Sequence, residues 1–504
     1  MPKRNRMFEL SEAVSSGDVE VVRALLDAGA DIRYVLPHNY TVMIDAMHGR
    51  SIEDDEQLIP LLRLLVERGA DLNAISSYGE SALRVAYRVG RFDAVGLLLD
   101  SGADPAQLEW SPLHRAVALG SAEDVRAQIE AGADLSSRDW WERTPWLLSL
   151  QTGDIAKAEA LLAAGATLTD RGRCGKTPLI YPVGSRQPAM VKWLLDRGVD
   201  PNETDDFGGT ALIEAAGDGV TECVRLLLEA GADALHRSNS FSAIELASNV
   251  AIVRLLVDAG ADLNEINGAM RLTLTGLRHE EALNCTASDY QADKHRVFGR
   301  SNPERMNFPF WKAMVANGGS AYHARERFDQ GRLSDDAIWC YDRFGMSLTE
   351  LQGGRVIEIA GEHEDYYDPD FCIYNDVIVH HGDGTFDIYG YPEVVFPPTD
   401  FHTATLVGNV IFIIGNLGYA GSRRYGTTPV YRLDIHSLAI EPVATTGNLP
   451  GWISRHRAKL VGCGIEVSGG KVCDRLGNEE RYEDNSNTFV LDLETRTWSR
   501  RIDG

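Results

Sequence analysis

LLEAGAD, residues 227–233, closes an apolar run on a leucine pair and then breaks it with a glycine. The phrase recurs as LLDAGAD (25–31), LVERGAD (65–71), LLDSGAD (98–104), QIEAGAD (128–134), LLAAGAT (161–167), LLDRGVD (194–200) and LVDAGAD (256–262). Its glycines, Gly29, Gly69, Gly102, Gly132, Gly165, Gly198, Gly231 and Gly260, follow one another at intervals of 40, 33, 30, 33, 33, 33 and 29 residues. A fixed period of this size marks a repeat architecture in which each unit covers the apolar face of the next. A second phrase lies between the glycines: SALRVA (81–86), SPLHRA (111–116), TPWLLS (144–149), TPLIYP (177–182) and TALIEA (210–215). Ser or Thr there can accept from the free N–H groups of a starting helix, and Pro suits its first position. The glycine suits the left-handed cap that ends a helix. Each unit therefore predicts helix, turn, helix and polar loop.

The period, the phrase SPLHRA and the GAD ending together resemble the ankyrin repeat, over about residues 7–270. Only SPLHRA keeps the family's histidine, at His114, and the phrase is degenerate at TVMIDA (41–46) and SAIELA (242–247). The second unit carries extra residues near HGRSIEDDE (48–56). The resemblance implies a curved α-solenoid of about eight repeats that binds a protein partner through its loop tips and concave face. The candidate partner-binding residues are Tyr78 in the third unit, Arg138, Trp140 and Trp141 in the fifth, and Asp205, Asp206 and Phe207 in the seventh. Aromatic and arginine side chains dominate interface energetics.

A different period follows. GRVIEIAG (354–361), GNVIFIIG (408–415) and GCGIEVSG (462–469) lie 54 residues apart, with Ile357, Ile411 and Ile465 aligned. Alternating β-branched residues predict strands. DVIVHHGDGTFDIYG (376–390), PVYRLDIHSLAIEPV (429–443) and TFVLDLETRTWSR (488–500) each read as strand, tight turn, strand. Units of four short strands are the blades of propellers. Gly469-Gly470 followed by FVLDLETRTW resembles the kelch repeat, over about residues 338–504. That resemblance implies a kelch-like β-propeller or partial propeller of about three blades, a non-catalytic interaction module. Closed propellers need at least four blades. The exposed sheets would then be covered by strands from the linker, by an edge-to-edge dimer through the β domain, or by packing against the solenoid, and the last is favoured. Residues 271–337 follow neither period. FPFWKAMVANGGSAYHARERF (308–328) predicts a helical adaptor, with Trp311 and Tyr322 in its core. The expected domains are thus 1–270, 271–337 and 338–504 of a multidomain α + β chain.

Of 504 residues, 49 are basic and 74 acidic, a net charge of −25 that repels phosphate and argues against nucleic acid. A basic protein partner is compatible with that field. No run approaches eighteen apolar residues, so no membrane span is expected, and the start lacks the apolar core of a secretory signal. Seven scattered cysteines read as reduced thiols of a cytoplasmic protein.

For chemistry the candidate is GEHEDYYDPD (361–370). His363, Glu364 and Asp365, with His402 and His456 at equivalent blade starts, could supply metal ligands at the mouth of the β domain. In this reading the apolar Leu348 takes the equivalent place in the first blade, and the kelch resemblance implies that a polar residue at that place, such as His402 or His456, satisfies backbone groups of the inner strand. No cofactor motif is present, and CGKT (174–177) is read as an ankyrin loop and helix cap, with Thr177 as the cap. The expectation is a non-catalytic protein–protein interaction adaptor, one version being an inhibitor or immunity-type protein. The competing expectation is an enzyme or metal-dependent binder.

Overall fold

In the computed structural model, which describes residues 3–49, 52, 55–278, 282–330, 336–365, 368–477 and 479–501, the leucine–glycine phrase ends a helix each time it occurs. All eight glycines have positive φ, between 80° and 113°, and an added Cβ would meet nothing within 4 Å at any of them. Backbone conformation, not crowding, thus selects glycine there. The N–H of the following residue bonds back to the carbonyl five positions earlier, as Ala232 does to Leu227 at 2.9 Å, and satisfies carbonyls the helix end leaves free.

The chain divides into two compact units, Met1–Ser248 and Asn249–Gly504. The first is a stack of helix pairs, among them Ala82–Arg88 with Phe92–Asp100, Pro112–Leu119 with Ala122–Glu130, and Pro145–Thr152 with Ile155–Ala163. Ser81, Ser111, Thr144 and Thr210 cap as expected, each accepting from the N–H three residues on. His114 completes a capping box with Ser111, and its Nε2 donates to the carbonyl of Arg143 in the next repeat at 3.0 Å. Thr177 departs from the pattern. Its buried hydroxyl finds no partner among the described residues, and the helix begins only at Ile180. The cause is Pro182, which has no N–H to give and is tolerated only in a first turn, so the start moves downstream. The insertion at 48–56 falls partly outside the described residues.

In the second unit each of the three glycine-flanked motifs is an inner strand of its own sheet, antiparallel throughout except for the parallel pair Thr446–Gly447 with Thr497–Arg501 in the third. The first sheet runs, in spatial order, Glu304–Arg305, Phe386–Gly390, Val377–His380, Val356–Ile359 and Ser347–Glu350. The second runs Thr403–Val407, Val410–Ile414, Val430–Asp434 and Ile440–Pro442. The third runs Thr446–Gly447, Thr497–Arg501, Thr488–Asp492, Gly464–Ser468 and Arg457–Val461. Strand pairing among the described residues closes none of these sheets into a barrel.

The aligned residues Ile357, Ile411 and Ile465 are fully buried, as are Ile359, Ile413 and Val467. One core joins the first and second sheets through Ile357, Val379, Ile411, Ile413 and Leu433. Another joins the second and third through Ile414, Val430, Ile465, Phe489 and Trp498. The opposite face of the first sheet, with Ile378 and Ile388, is covered by the helix Pro309–Asn317, whose Trp311 stacks on Trp339 with ring centres 4.7 Å apart. On the third sheet, Glu466 bridges Lys459 at 2.9 Å and Arg501 at 2.5 Å. The packed series thus begins on helices and ends on charge, which discourages a further sheet from adding there.

Trp311 is core, but Tyr322 is not, being 42 % exposed. The helix Ala321–Phe328 buries Ala321 and Ala324, and the 100° step from Ala321 turns its neighbour outward.

Candidate interaction surface

The loops between repeats are tied tip to tip. The N–H of Ser77 donates to the carbonyl of His38 at 2.9 Å, Trp140 to Leu108 at 3.0 Å, Asp206 to Cys174 at 3.0 Å and Asn239 to Phe207 at 3.1 Å. Arginines add a second tie at the repeat spacing. Arg138 Nη1 donates to the carbonyls of Glu142 and Arg171, and Arg171 Nη1 to those of Gly175 and Thr204. The result is a row of loops ordered before any partner arrives, which lowers the entropy that binding must spend.

The singled-out residues divide within this row. Tyr78 is 66 % exposed, resting on His38 with ring centres 5.0 Å apart, and Phe207 is 60 % exposed. Trp140 and Trp141 are half-buried side by side, ring centres 5.1 Å apart. Arg138 is exposed but serves as the brace just described. Asp205 closes its own loop, its carboxylate accepting from the N–H of Phe207 at 2.9 Å and of Gly209 at 2.7 Å. Asp206 lies against Gly175 of the preceding loop.

Beneath the tryptophans sits a polar network that the repeat pattern does not announce. Arg143 is fully buried and donates through Nε to Asp139 at 2.9 Å, and through Nη1 to the carbonyl of Tyr87 and to Gln151. Tyr87 donates to Asp139 while its ring lies under the guanidinium, 3.9 Å away, and burial pushes its phenol well above the ordinary range. Asp139 also accepts from the N–H of Trp141 and of Arg143, both at 2.8 Å, fixing the loop that carries the indoles. The interval of 30 before Gly132 was the signal for this arrangement. The fourth repeat's loop is three residues shorter than its neighbours', with Ser111 nine residues past Gly102 against twelve from Gly132 to Thr144, and the fifth loop leans over its turn at Pro105–Leu108 onto the third repeat.

In the second unit the histidines tie sheets together. His402 Nε2 meets Ser347 Oγ at 2.8 Å, and His456 Nε2 meets Thr403 Oγ1 at 2.9 Å. Ser347 and Thr403 thus play the same part in successive sheets. The first-sheet counterpart of His402 is therefore Met346 and not Leu348, because the turn after Glu350 is longer than the one after Val407. His363 is buried in the strand Glu362–Asp365, paired with Cys372 of Asp368–Ile373. The side chains of Glu364 and Asp365 lie outside the described residues, and among the described ones no three His, Cys, Asp or Glu are grouped as a metal would require.

Burial holds both imidazoles neutral, depressed from 6.5 to about 3, with the nearby His456 adding to the effect on His402. An unfolded chain takes up these protons below pH 6.5 while the fold refuses them, so stability is full above 6.5 and falls as pH drops toward 3. At about 1.4 kcal/mol per unit for each histidine, the second unit should lose about 2 kcal/mol between pH 7 and pH 5.5. Urea unfolding at both pH values checks this: His402→Asn plus His456→Asn should flatten the difference, and an acid-insensitive wild type would contradict it.

All seven cysteines are free thiols. Among the described residues no helix is long and apolar enough to cross a membrane. Stacked helix pairs with left-handed glycine caps and tied loops define a helical-repeat protein that presents a continuous row of loops.

The model of a family described as ankyrin repeats (3 copies) matches residues 10–109, 113–205 and 190–267, just over half of the chain. The chain belongs to the ankyrin-repeat family. It is 33 % identical over 92 residues to an ankyrin repeat protein of Acanthamoeba polyphaga mimivirus, covering 18 % of this chain and 54 % of that one. It is 33 % identical over 103 residues to an ankyrin repeat and KH domain-containing protein of Caenorhabditis briggsae, covering 20 % of this chain and 4 % of that one. It is 36 % identical over 101 residues to cyclin-dependent kinase 4 inhibitor B of Homo sapiens, covering 19 % of this chain and 72 % of that one. The chain therefore spans about half the length of the first relative and a small part of the second. Ankyrin repeats imply protein–protein interaction; the family match ends at residue 267, and the sheets of the second unit lie beyond it.

Proposed function

We propose that the chain is a non-catalytic binding protein of the cytoplasm that reads a protein partner through its loop row. The observation that carries this is the backbone tie from loop tip to loop tip, which holds Tyr78 and Phe207 exposed on an ordered frame. The second unit is read as a kelch-like partial propeller, on the support of three sheets with equivalent glycine-flanked strands packed in succession. The net charge of −25 steers basic surfaces toward the molecule at long range. Action as an inhibitor agrees with the name of the human relative.

The test is affinity capture from native lysate with the full chain, comparing wild type with Tyr78→Ala plus Phe207→Ala. Both side chains are exposed, so the fold should survive. Recovery of the captured protein should fall at least about tenfold, the effect of losing 1.4 kcal/mol or more at a hot spot. Recovery that ignores these residues but is lost on Phe344→Ala plus Tyr482→Ala, two exposed aromatics of the second unit, would move the reading surface there.

A further inference from the structure

We infer that Trp140, Trp141, Arg84, Arg88 and Arg173 form a docking site for an acidic peptide segment of the partner. The inference rests on the proposed loop-row reading and specifies the chemistry of one part of it. Three guanidinium groups lie over the two indoles: Arg84 at 4.6 Å from the ring centre of Trp140, Arg88 at 5.5 Å and Arg173 at 4.5 Å from rings of Trp141. Stacking on indole holds a guanidinium flat and leaves its N–H fork available to a carboxylate.

The charge in this patch is only partly neutralised. Arg88 pairs with Glu80 at 3.1 Å. Arg84 spends its Nε and Nη1 on the carbonyls of Gln107 and Gly79, and the Glu109 carboxylate offsets part of its charge without an ion pair. Arg173 is exposed and, among the described residues, no carboxylate pairs with it. The buried Arg88 Nε also finds no acceptor among the described residues. The unpaired Arg173 and the unused Arg88 donor both call for an acceptor-rich ligand, and the indole faces offer area to its apolar side chains. The shortened fourth loop, which holds a turn at Pro105–Leu108, is what lets the indoles of the fifth loop reach the arginines of the third repeat.

This assignment is opposite in sign to the whole molecule, and distance reconciles the two. The Debye length is about 8 Å at physiological salt, so carboxylates elsewhere on the surface are screened while the stacked guanidinium groups act at contact.

The test uses the full chain and fluorescein-labelled decapeptides of alternating Glu-Tyr, Lys-Tyr and Gln-Tyr, followed by anisotropy at ~150 mM salt. The Glu-Tyr peptide should bind at least about tenfold tighter than the other two. Arg173→Glu should weaken it about tenfold or more, and Arg173→Lys should retain part of the affinity. Equal or tighter binding of Lys-Tyr, absence of Glu-Tyr binding, or indifference to Arg173→Glu overturns the site. Binding that ignores Arg173→Glu but is lost on Tyr78→Ala plus Phe207→Ala keeps the loop-row reading and rejects the acidic segment. Binding touched by neither set rejects both.

Discussion

Glu358→Ala should lower the stability of the second unit by about 3–5 kcal/mol, the cost of leaving a buried charge without its partner. Glu358 is 3 % exposed on the strand Val356–Ile359 and accepts from Arg271 Nε at 2.8 Å and Nη2 at 2.9 Å, a two-pronged contact. Tyr341 donates to it at 3.2 Å, and His380 Nε2 lies 3.4 Å away. Arg271 belongs to the helix Gly268–Thr275, just after the last ankyrin repeat, so this pair clamps that helix to the first sheet. Burial by itself would raise the Glu358 carboxyl, but the charge of Arg271, with His380, overrides it and holds the group far below the usual carboxylate range. Its contribution is therefore complete above the ordinary value of 4.5 and disappears as acid is added below it. Urea unfolding of the full chain, with hydrogen exchange read at Val356–Ile359, measures the effect. A loss under about 1 kcal/mol would mean that the pair repays no more than its own desolvation.

Asp139→Ala should cost the first unit a similar amount, about 3–5 kcal/mol, since it strands a fully buried Arg143 and frees Tyr87. It should also do something a cavity would not. The N–H of Trp141 loses its acceptor, so the paired indoles should lose their fixed geometry and the near-ultraviolet circular dichroism of the tryptophans should shrink. Tyr87→Phe removes one hydrogen bond and should cost only about 1 kcal/mol with the dichroism retained. An Asp139→Ala protein with unchanged tryptophan dichroism would show that the loop does not depend on the network beneath it.

The repeats were legible because they obey short-range rules. A leucine pair followed by a glycine specifies a helix end whatever surrounds it, and all eight glycines adopt the conformation their position demands. The sheets were legible from Ile357, Ile411 and Ile465, since alternation fixes which side of a strand is buried. Thr177 was misjudged because a proline five residues on overrules a local cap. Leu348 was matched to the wrong partner because strand pairing, not residue count, sets equivalence between sheets. The candidate site was legible only in part. Tyr78 and Phe207 are where a loop reading puts them, but nothing local to SSRDWWERTP says that Arg84, Arg88 and Arg173 converge on its tryptophans.

By itself the sequence determined the two periods, the capped helix pairs, the buried face of each strand and the acidic balance of the whole. These depend on backbone preference and apolar spacing, which act within a few residues. Only the tertiary structure decided that the fifth loop crosses a shortened fourth one, that Arg143 and Glu358 are buried with their partners, and that the histidines bind hydroxyls of the neighbouring sheet. Those outcomes join residues far apart in the chain, and such pairings are set by packing and by the need to satisfy buried charge, for which a linear pattern carries no mark.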